Sequence, residues 1–136
     1  MRRTDYFTRE PDNAHEFWMD ETLNRTLLDF YRHRKPMGFL SLASLLAARV
    51  FQGVHITLCD EATRQSDLVI LDRFLATGER TGATLVNRNI FQALHDTNYH
   101  IYSSPGSMTT AIPPERIYYN ISEGIGNLVD QMVQSL

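Results

Sequence analysis

The stretch KPMGFLSLASLLAARVF, Lys35 to Phe51, decides the fold. Met37 to Leu42 is almost wholly apolar, the pattern of a strand buried on both faces. Ala43 to Phe51 is rich in leucine and alanine and predicts a helix, which Gly53 ends. Ser41 stands where strand gives way to helix. Many α/β enzymes hold a nucleophile at such a turn, where backbone N–H groups at the helix start face a developing oxyanion. The local order is Phe39-Leu40-Ser41-Leu42-Ala43. Ala43 is small enough for a tight elbow, but Phe39 is not the glycine of a G-x-S-x-G motif. On these residues alone Ser41 reads as a cap for the following helix, with a nucleophile as the sharper alternative.

Upstream of this stretch, apolar residues from Phe17 to Arg34 recur at Met19, Leu23, Leu27 and Phe30, which is helical spacing, and Pro36 stops the helix. Residues 1–16 are polar and form an N-terminal arm; residues 17–136 form one domain. Downstream, His55-Ile-Thr-Leu-Cys59 reads as the next strand. Asp60 is a candidate N-cap for a helix reaching about Thr77, with Leu68, Leu71 and Leu75 on one face and Gly78 as its stop. Ala83 to Val86 is a short strand. In residues 89–104, two alternating segments flank Asp96-Thr-Asn-Tyr99, a turn composition, so a β-hairpin is expected. Pro113-Pro114 opens a last helix with Ile117, Ile121, Leu128 and Met132 inward. Helices alternating with strands imply an α/β fold with a mostly parallel sheet covered on both faces.

With 136 residues the chain has the length of one domain, and its 43% hydrophobic and 21% charged residues are ordinary for a globular protein. A net charge of −3 exerts no general pull on nucleic acid or on an anionic membrane. The basic run Arg32-His33-Arg34-Lys35 suits the negative end of a helix dipole. A single cysteine, Cys59, excludes an intrachain disulfide framework and a multi-cysteine zinc site, and fits a reducing compartment such as the cytoplasm. No apolar run approaches the ~18 residues of a membrane span. The first residues contain arginines but also Asp5, Glu10 and Asp12, so they suit neither a signal nor a transit peptide.

Other chemistry-bearing residues have plainer readings. His95 and His100 face each other across the hairpin, but a stable zinc site wants three or four ligands, so neither metal nor cofactor is expected. His55 and Cys59 share a strand face by period two, with Cys59 as a small buried hydrophobe. Gly124-Ile-Gly126 follows no strand and is not a phosphate loop; close approach of its helix to a neighbouring element is the expectation. Tyr99, Tyr102, Tyr118 and Tyr119 fit amphipathic packing.

Taken together, the pieces resemble a known family. KPMGFLSLASLLAARVF is similar to the segment around the active cysteine in the ES1/ElbB-like branch of the DJ-1/PfpI superfamily, among the class I glutamine amidotransferase-like folds. The helix DETLNRTLLDFYRHR resembles the helix before that strand. GATLVNRNIFQALHDTNYHIYSSPGSM resembles the family's hairpin and the element after it, here Ser103-Ser104-Pro105-Gly106-Ser107-Met108. ISEGIGNLVDQMV resembles the last helix. The resemblance covers residues 17–136 but the C-terminal half to two-thirds of a family domain. It implies a flavodoxin-like parallel sheet flanked by helices and incomplete at the N-terminus, through truncation or an incomplete chain. It also implies a mitochondrial alternative to the cytoplasm.

The resemblance sets Ser41 at the cysteine's position and makes Phe39, Leu40, Leu42, Ala43, Ser104 and Pro105 the candidate binding residues. The family acts on small aldehydes such as glyoxal through a cysteine hemithioacetal. A serine hydroxyl ionises far less readily than a thiol and needs a base. The assisting acid of the superfamily comes from early strands, and residues 1–16 offer no replacement. The first expectation is therefore a degenerate family member without glyoxalase chemistry, keeping a binding or assembly role, with a small aldehyde or carboxylate as possible ligand. The alternatives are an active enzyme of the family, glyoxalase-like or else hydrolase- or amidotransferase-like using Ser41 with His95 or His100 as base, and an interaction module whose exposed sheet edge takes a partner strand or a second copy. Neither nucleic acid nor membrane is expected as a partner.

Overall fold

The computed structural model describes residues 8–9, 18–65, 69–106 and 113–136. Most of the expected N-terminal arm, Leu68, and Ser107-Met108 of the element after the hairpin lie outside them. In chain order the elements are β1 (Thr8–Arg9), β2 (Trp18–Met19), α1 (Glu21–Arg32), β3 (Met37–Leu40), a 3-10 turn (Ser41–Ala43) and α2 (Ser44–Val50). Then follow β4 (His55–Ile56), α3 (Glu61–Arg64), α4 (Val69–Arg80), β5 (Thr84–Leu85), β6 (Leu94–Asp96), β7 (Ile101–Ser104) and α5 (Pro114–Gln134).

The central sheet has the order β3-β7-β6, with β3 parallel to β7 and β7 antiparallel to β6 across the expected hairpin. β4 pairs in parallel with β5. Two buried polar side chains tie this second pair to the hairpin. The Asp96 carboxylate accepts from the His55 amide at 2.7 Å, and Ser103 Oγ accepts from the Thr57 amide at 3.0 Å. β1 and β2 pair with each other, antiparallel.

Helices cover both faces. On one side Leu27 of α1 and Leu45, Ala47 and Ala48 of α2 join Met37, Phe39, Ile56 and Ile101 in a continuous core. On the other side α5 crosses β3 so closely that a methyl group on Gly38 would lie 2.9 Å from a Leu128 methyl carbon and 2.7 Å from Met132 Sδ. β7, sandwiched between the layers, is buried at every position, and Ile101 is wholly inaccessible. Removing such a side chain from water contributes about 2 kcal/mol.

Several boundaries move from their expected places, each for a local reason. α1 starts at Glu21 rather than Phe17, because the Asp20 carboxylate accepts from the Thr22 and Leu23 amides and caps the helix there. β3 stops at Leu40, and its burial alternates along the strand instead of being complete on both faces. The helix expected after Asp60 is two helices, α3 and α4, and Asp60 does cap the first by accepting from the Thr63 amide at 2.7 Å. Gly78 lies inside α4 and does not end it. Its place there follows from packing, since a methyl group would come within 3.1 Å of Leu85 on β5. His55 and Cys59 do not share a surface: β4 is two residues long, His55 is exposed and Cys59 buried.

α1 ends in paired reverse bonds, Lys35 N–H to Phe30 O at 2.9 Å and Arg34 N–H to Tyr31 O at 3.0 Å. This double closure sets Arg34 in the left-handed region, φ 54°. Glycine is the usual occupant, and a side chain there costs roughly 1 kcal/mol. Among the described residues Ser41 (φ 55°) and His100 (φ 58°) share that conformation.

Candidate functional site

Ser41 is the first residue after β3, and its left-handed backbone turns the chain at once into the 3-10 turn and then α2. Sparsely populated backbone conformations of non-glycine residues concentrate at active sites and ligand clamps. The capping role read from sequence does not hold. The 3-10 turn begins at Ser41 itself, with Leu40 before it and no side-chain cap bond, and α2 likewise lacks one. Ser41 thus has the backbone of an elbow rather than of a cap.

The second wall of this corner comes from β7. Leu40 is in register with Ser104, so the chain leaving β7 through Pro105 and Gly106 runs beside Ser41. A methyl group on Gly106 would lie 3.1 Å from Ser41 Cβ and 3.4 Å from its amide nitrogen. Gly106 also has φ 60°. Both its conformation and the lack of room call for glycine here. Gly106 was legible as the glycine of Pro105-Gly106, a turn dipeptide, yet nothing in the local sequence tied it to Ser41.

The candidate binding residues divide by exposure. Leu40, Ser41, Leu42 and Ala43 are half-buried and reach solvent at the elbow. Phe39 points into the core, and Ser104 and Pro105 are buried behind the elbow as its support. Ser44, three residues beyond Ser41, is wholly buried, and its hydroxyl has no hydrogen-bond partner among the described residues.

The histidines do meet, as expected, but far from the elbow. His95 Nε2 lies 3.1 Å from His100 Nδ1, and the His95 ring stacks on Tyr102 at 4.0 Å with an interplanar angle of 4°. His95 is in register with Tyr102, and Tyr102 with Gly38, three residues before Ser41 and two strands away. At ~3.3 Å per residue and ~4.8 Å per strand, the Cα atoms of His95 and Ser41 are about 14 Å apart. His100 is more distant still, since its carbonyl accepts from the Met37 amide at the opposite end of β3. Neither imidazole reaches Ser41, so neither serves as its base. Among the described residues no three His, Cys, Asp or Glu side chains gather as metal ligands.

Burial lowers the pKa of His95, and the neighbouring His100 lowers it further; Asp96 opposes both. The folded state therefore favours neutral His95, while the unfolded chain takes up the proton near the ordinary ~6.5. The sign follows from linkage: this contribution to stability is full above that pH and is lost as pH falls through it toward the lowered folded value. His95→Gln should flatten the acid limb of a plot of urea midpoint against pH. Parallel plots for the two proteins would refute this. Cys59 has its pKa raised by burial and then by Asp60, against Arg64, so it stays a thiol and is no substitute nucleophile.

No protein-family model matches the chain. Over 119 residues it is 30% identical to "ES1 protein, mitochondrial" from Danio rerio, a match covering 85% of this chain and 43% of that protein. Among solved structures, the isoprenoid biosynthesis protein with amidotransferase-like domain from Ehrlichia chaffeensis superposes with a TM-score of 0.67 at 16% identity, covering 86% of this chain and 48% of that one. The chain thus spans less than half the length of these two proteins. The structural likeness carries the fold: a small sheet flanked by helices in the amidotransferase-like, flavodoxin-like manner. The fold is compatible with the sequence match, and the chain is a relative of the ES1/ElbB-like branch, corresponding to the C-terminal part of its domain.

Proposed function

We propose that this chain is a degenerate member of that branch, keeping the elbow as a binding or assembly surface without the cysteine chemistry. The observation that carries the reading is Ser41: it holds the left-handed backbone of a nucleophile elbow, and both hairpin histidines lie out of its reach. In the branch, a thiolate sulfur adds to an aldehyde carbon and the carbonyl oxygen takes a proton, giving a hemithioacetal. A serine hydroxyl without a base is almost wholly protonated and adds poorly. Leu40, Leu42 and Ala43 then offer an apolar rim to a small aldehyde or carboxylate, with Ser104 and Pro105 holding the wall behind. The compartment, cytoplasm or the mitochondrion named for the relative, is part of the proposal; among the described residues no helix is long and apolar enough to cross a membrane.

Glyoxal consumption and serine labelling test this directly. The protein should consume glyoxal at the buffer rate, and a fluorophosphonate probe should leave Ser41 unlabelled. Ser41→Cys should become alkylated by iodoacetamide at position 41 well before the buried Cys59 reacts. Glyoxal turnover that disappears in Ser41→Ala would establish the active-enzyme alternative instead.

The pairing of β3 supports a second reading. Among the described residues β3 pairs on one side alone, with β7, so its other edge offers unpaired N–H and C=O groups to a partner strand or a second copy. Concentration-dependent association seen by analytical ultracentrifugation, and lost when proline replaces Phe39, would favour it; a monomer at all concentrations would argue against self-pairing.

A further inference from the structure

The opposite end of the sheet from Ser41 carries a cavity of about 480 Å³. Arg32 and Arg34 line it from the end of α1, and Thr97, Asn98, Tyr99 and His100 from the turn between β6 and β7. Among the described residues no carboxylate lines it. The closest acid in the turn, Asp96, is committed elsewhere: its two oxygens accept from the amides of His55, Asn98 and Tyr99.

The polar side chains here are only loosely held. Arg32 has a single exposed contact with Asp29, at 3.5 Å, of the kind that contributes little. The Arg34 guanidinium makes no hydrogen bond or ion pair among the described residues. His100 is bonded through Nδ1 to His95, while its Nε2 has Ser135 Oγ at 3.5 Å, long for a hydrogen bond. Thr97 and Asn98 add neutral donors.

Backbone strain points to the same place. Three non-glycine residues among those described have positive φ, and apart from Ser41 they are Arg34 and His100, both on this cavity. At Arg34 the helix closure needs only the backbone, and glycine would make it without strain. The fold instead keeps an arginine at one position and an imidazole at the other, and such conformations concentrate at ligand clamps. The aromatic wall is fixed as well. Tyr31 and Tyr99 have ring centroids 5.5 Å apart, each packs on Phe51, and the Tyr99 hydroxyl donates to the Gln52 carbonyl.

We propose that this cavity binds a phosphate group, free or as the ester of a small organic molecule, with Arg34 as the principal contact and Arg32 and His100 assisting. Guanidinium forks match phosphate oxygens two at a time, and a dianion suits two arginines better than a single carboxylate does. The ester's organic part would lie against Tyr31 and Tyr99. The site is separate from the elbow, so it stands or falls independently of the reading of Ser41.

Isothermal titration with inorganic phosphate and with phenyl phosphate, at constant ionic strength, tests the proposal. Saturable binding is expected, weakened roughly tenfold in Arg34→Gly. That variant should also melt at a higher temperature without ligand, since it removes the strain, so weaker binding cannot be put down to misfolding. Arg25→Ala, the same charge change on an exposed face of α1, should bind like the unaltered protein. Tighter binding of phenyl phosphate supports an aryl ester as the ligand; equal binding supports free phosphate. No saturable binding of either anion, or equal losses in Arg34→Gly and Arg25→Ala, would overturn the proposal.

Discussion

Gly124→Ala should lower the melting temperature by about 10 °C, although alanine is the better helix former by roughly 1 kcal/mol. The reason lies across the interface. A methyl group on Gly124 would collide with the Ile90 carbonyl oxygen and lie 3.2 Å from its carbon, both backbone atoms. Nothing flexible can yield, because Ile90 is buried and Asn127, one turn further along α5, donates to the Phe91 carbonyl at 3.0 Å. α5 would have to lift off this loop, loosening its cover of β3 and β7. Overpacking of this kind costs about 3 kcal/mol or more, which outweighs the propensity gain. Gly126→Ala supplies the control within the same tripeptide. A methyl group there meets nothing within 4 Å, so the substitution should stabilise by up to about 1 kcal/mol. Thermal unfolding of the two variants beside the parent decides the matter: equal shifts would mean that the close approach of α5 to Ile90 is not made.

Asp96→Ala should be nearly as damaging, at about 3 kcal/mol, measured by urea unfolding. The carboxylate is 4% exposed and accepts from three backbone amides, at 2.7, 2.9 and 3.1 Å. Two of these donors form the hairpin turn, and the third, on His55, joins β4 to the hairpin. Alanine leaves all three without this acceptor and cuts one of two side-chain ties between the sheets. Asp96→Asn keeps one acceptor oxygen and should lose about half as much. A neutral result for Asp96→Ala would mean that water replaces the carboxylate at no cost and that the tie contributes nothing.

The elements legible in the sequence were those with strong local signals. Asp60 as an N-cap, the hairpin in residues 89–104, and the helix opened by Pro113-Pro114 all stand in the structure. Each is specified by residues close in sequence, a carboxylate before a helix, turn residues between alternating segments, a proline at a first helical position. Boundaries were less legible. Apolar spacing ran the first helix back to Phe17, whereas the cap at Asp20 set its start. Gly78 looked like a helix stop because glycine ends helices; here it is spent on contact with β5, a strand whose position no nearby residue announces.

The candidate site divides in the same way. Ser41 at the strand-to-helix junction was visible at once, because the change from an apolar run to a Leu/Ala-rich segment is local. Its positive φ was not, since serine is no signal for that conformation. Gly106 entered the sequence reading only within the family-like element Ser103 to Met108, and its contact with Ser41 exists only because β3 and β7 lie side by side in parallel. The separation of His95 and His100 from Ser41 likewise needed the strand register. In sequence, Arg34 belonged to a basic run that suits a helix end; the structure adds that it faces the same cavity as His100.

By itself, then, the sequence determined the alternation of helices and strands, the hairpin, the serine at the elbow and the lineage, since these rest on short-range patterns and collinear motifs. Tertiary structure alone decided what each long-range neighbour does: that Asp96 ties two sheets, that Gly124 must lack a side chain, that neither His95 nor His100 reaches Ser41, and that the strained Arg34 and His100 share one cavity. These depend on register and helix packing, which juxtapose residues tens of positions apart, and the distance between side chains is set by the assembled sheet and not by their spacing along the chain.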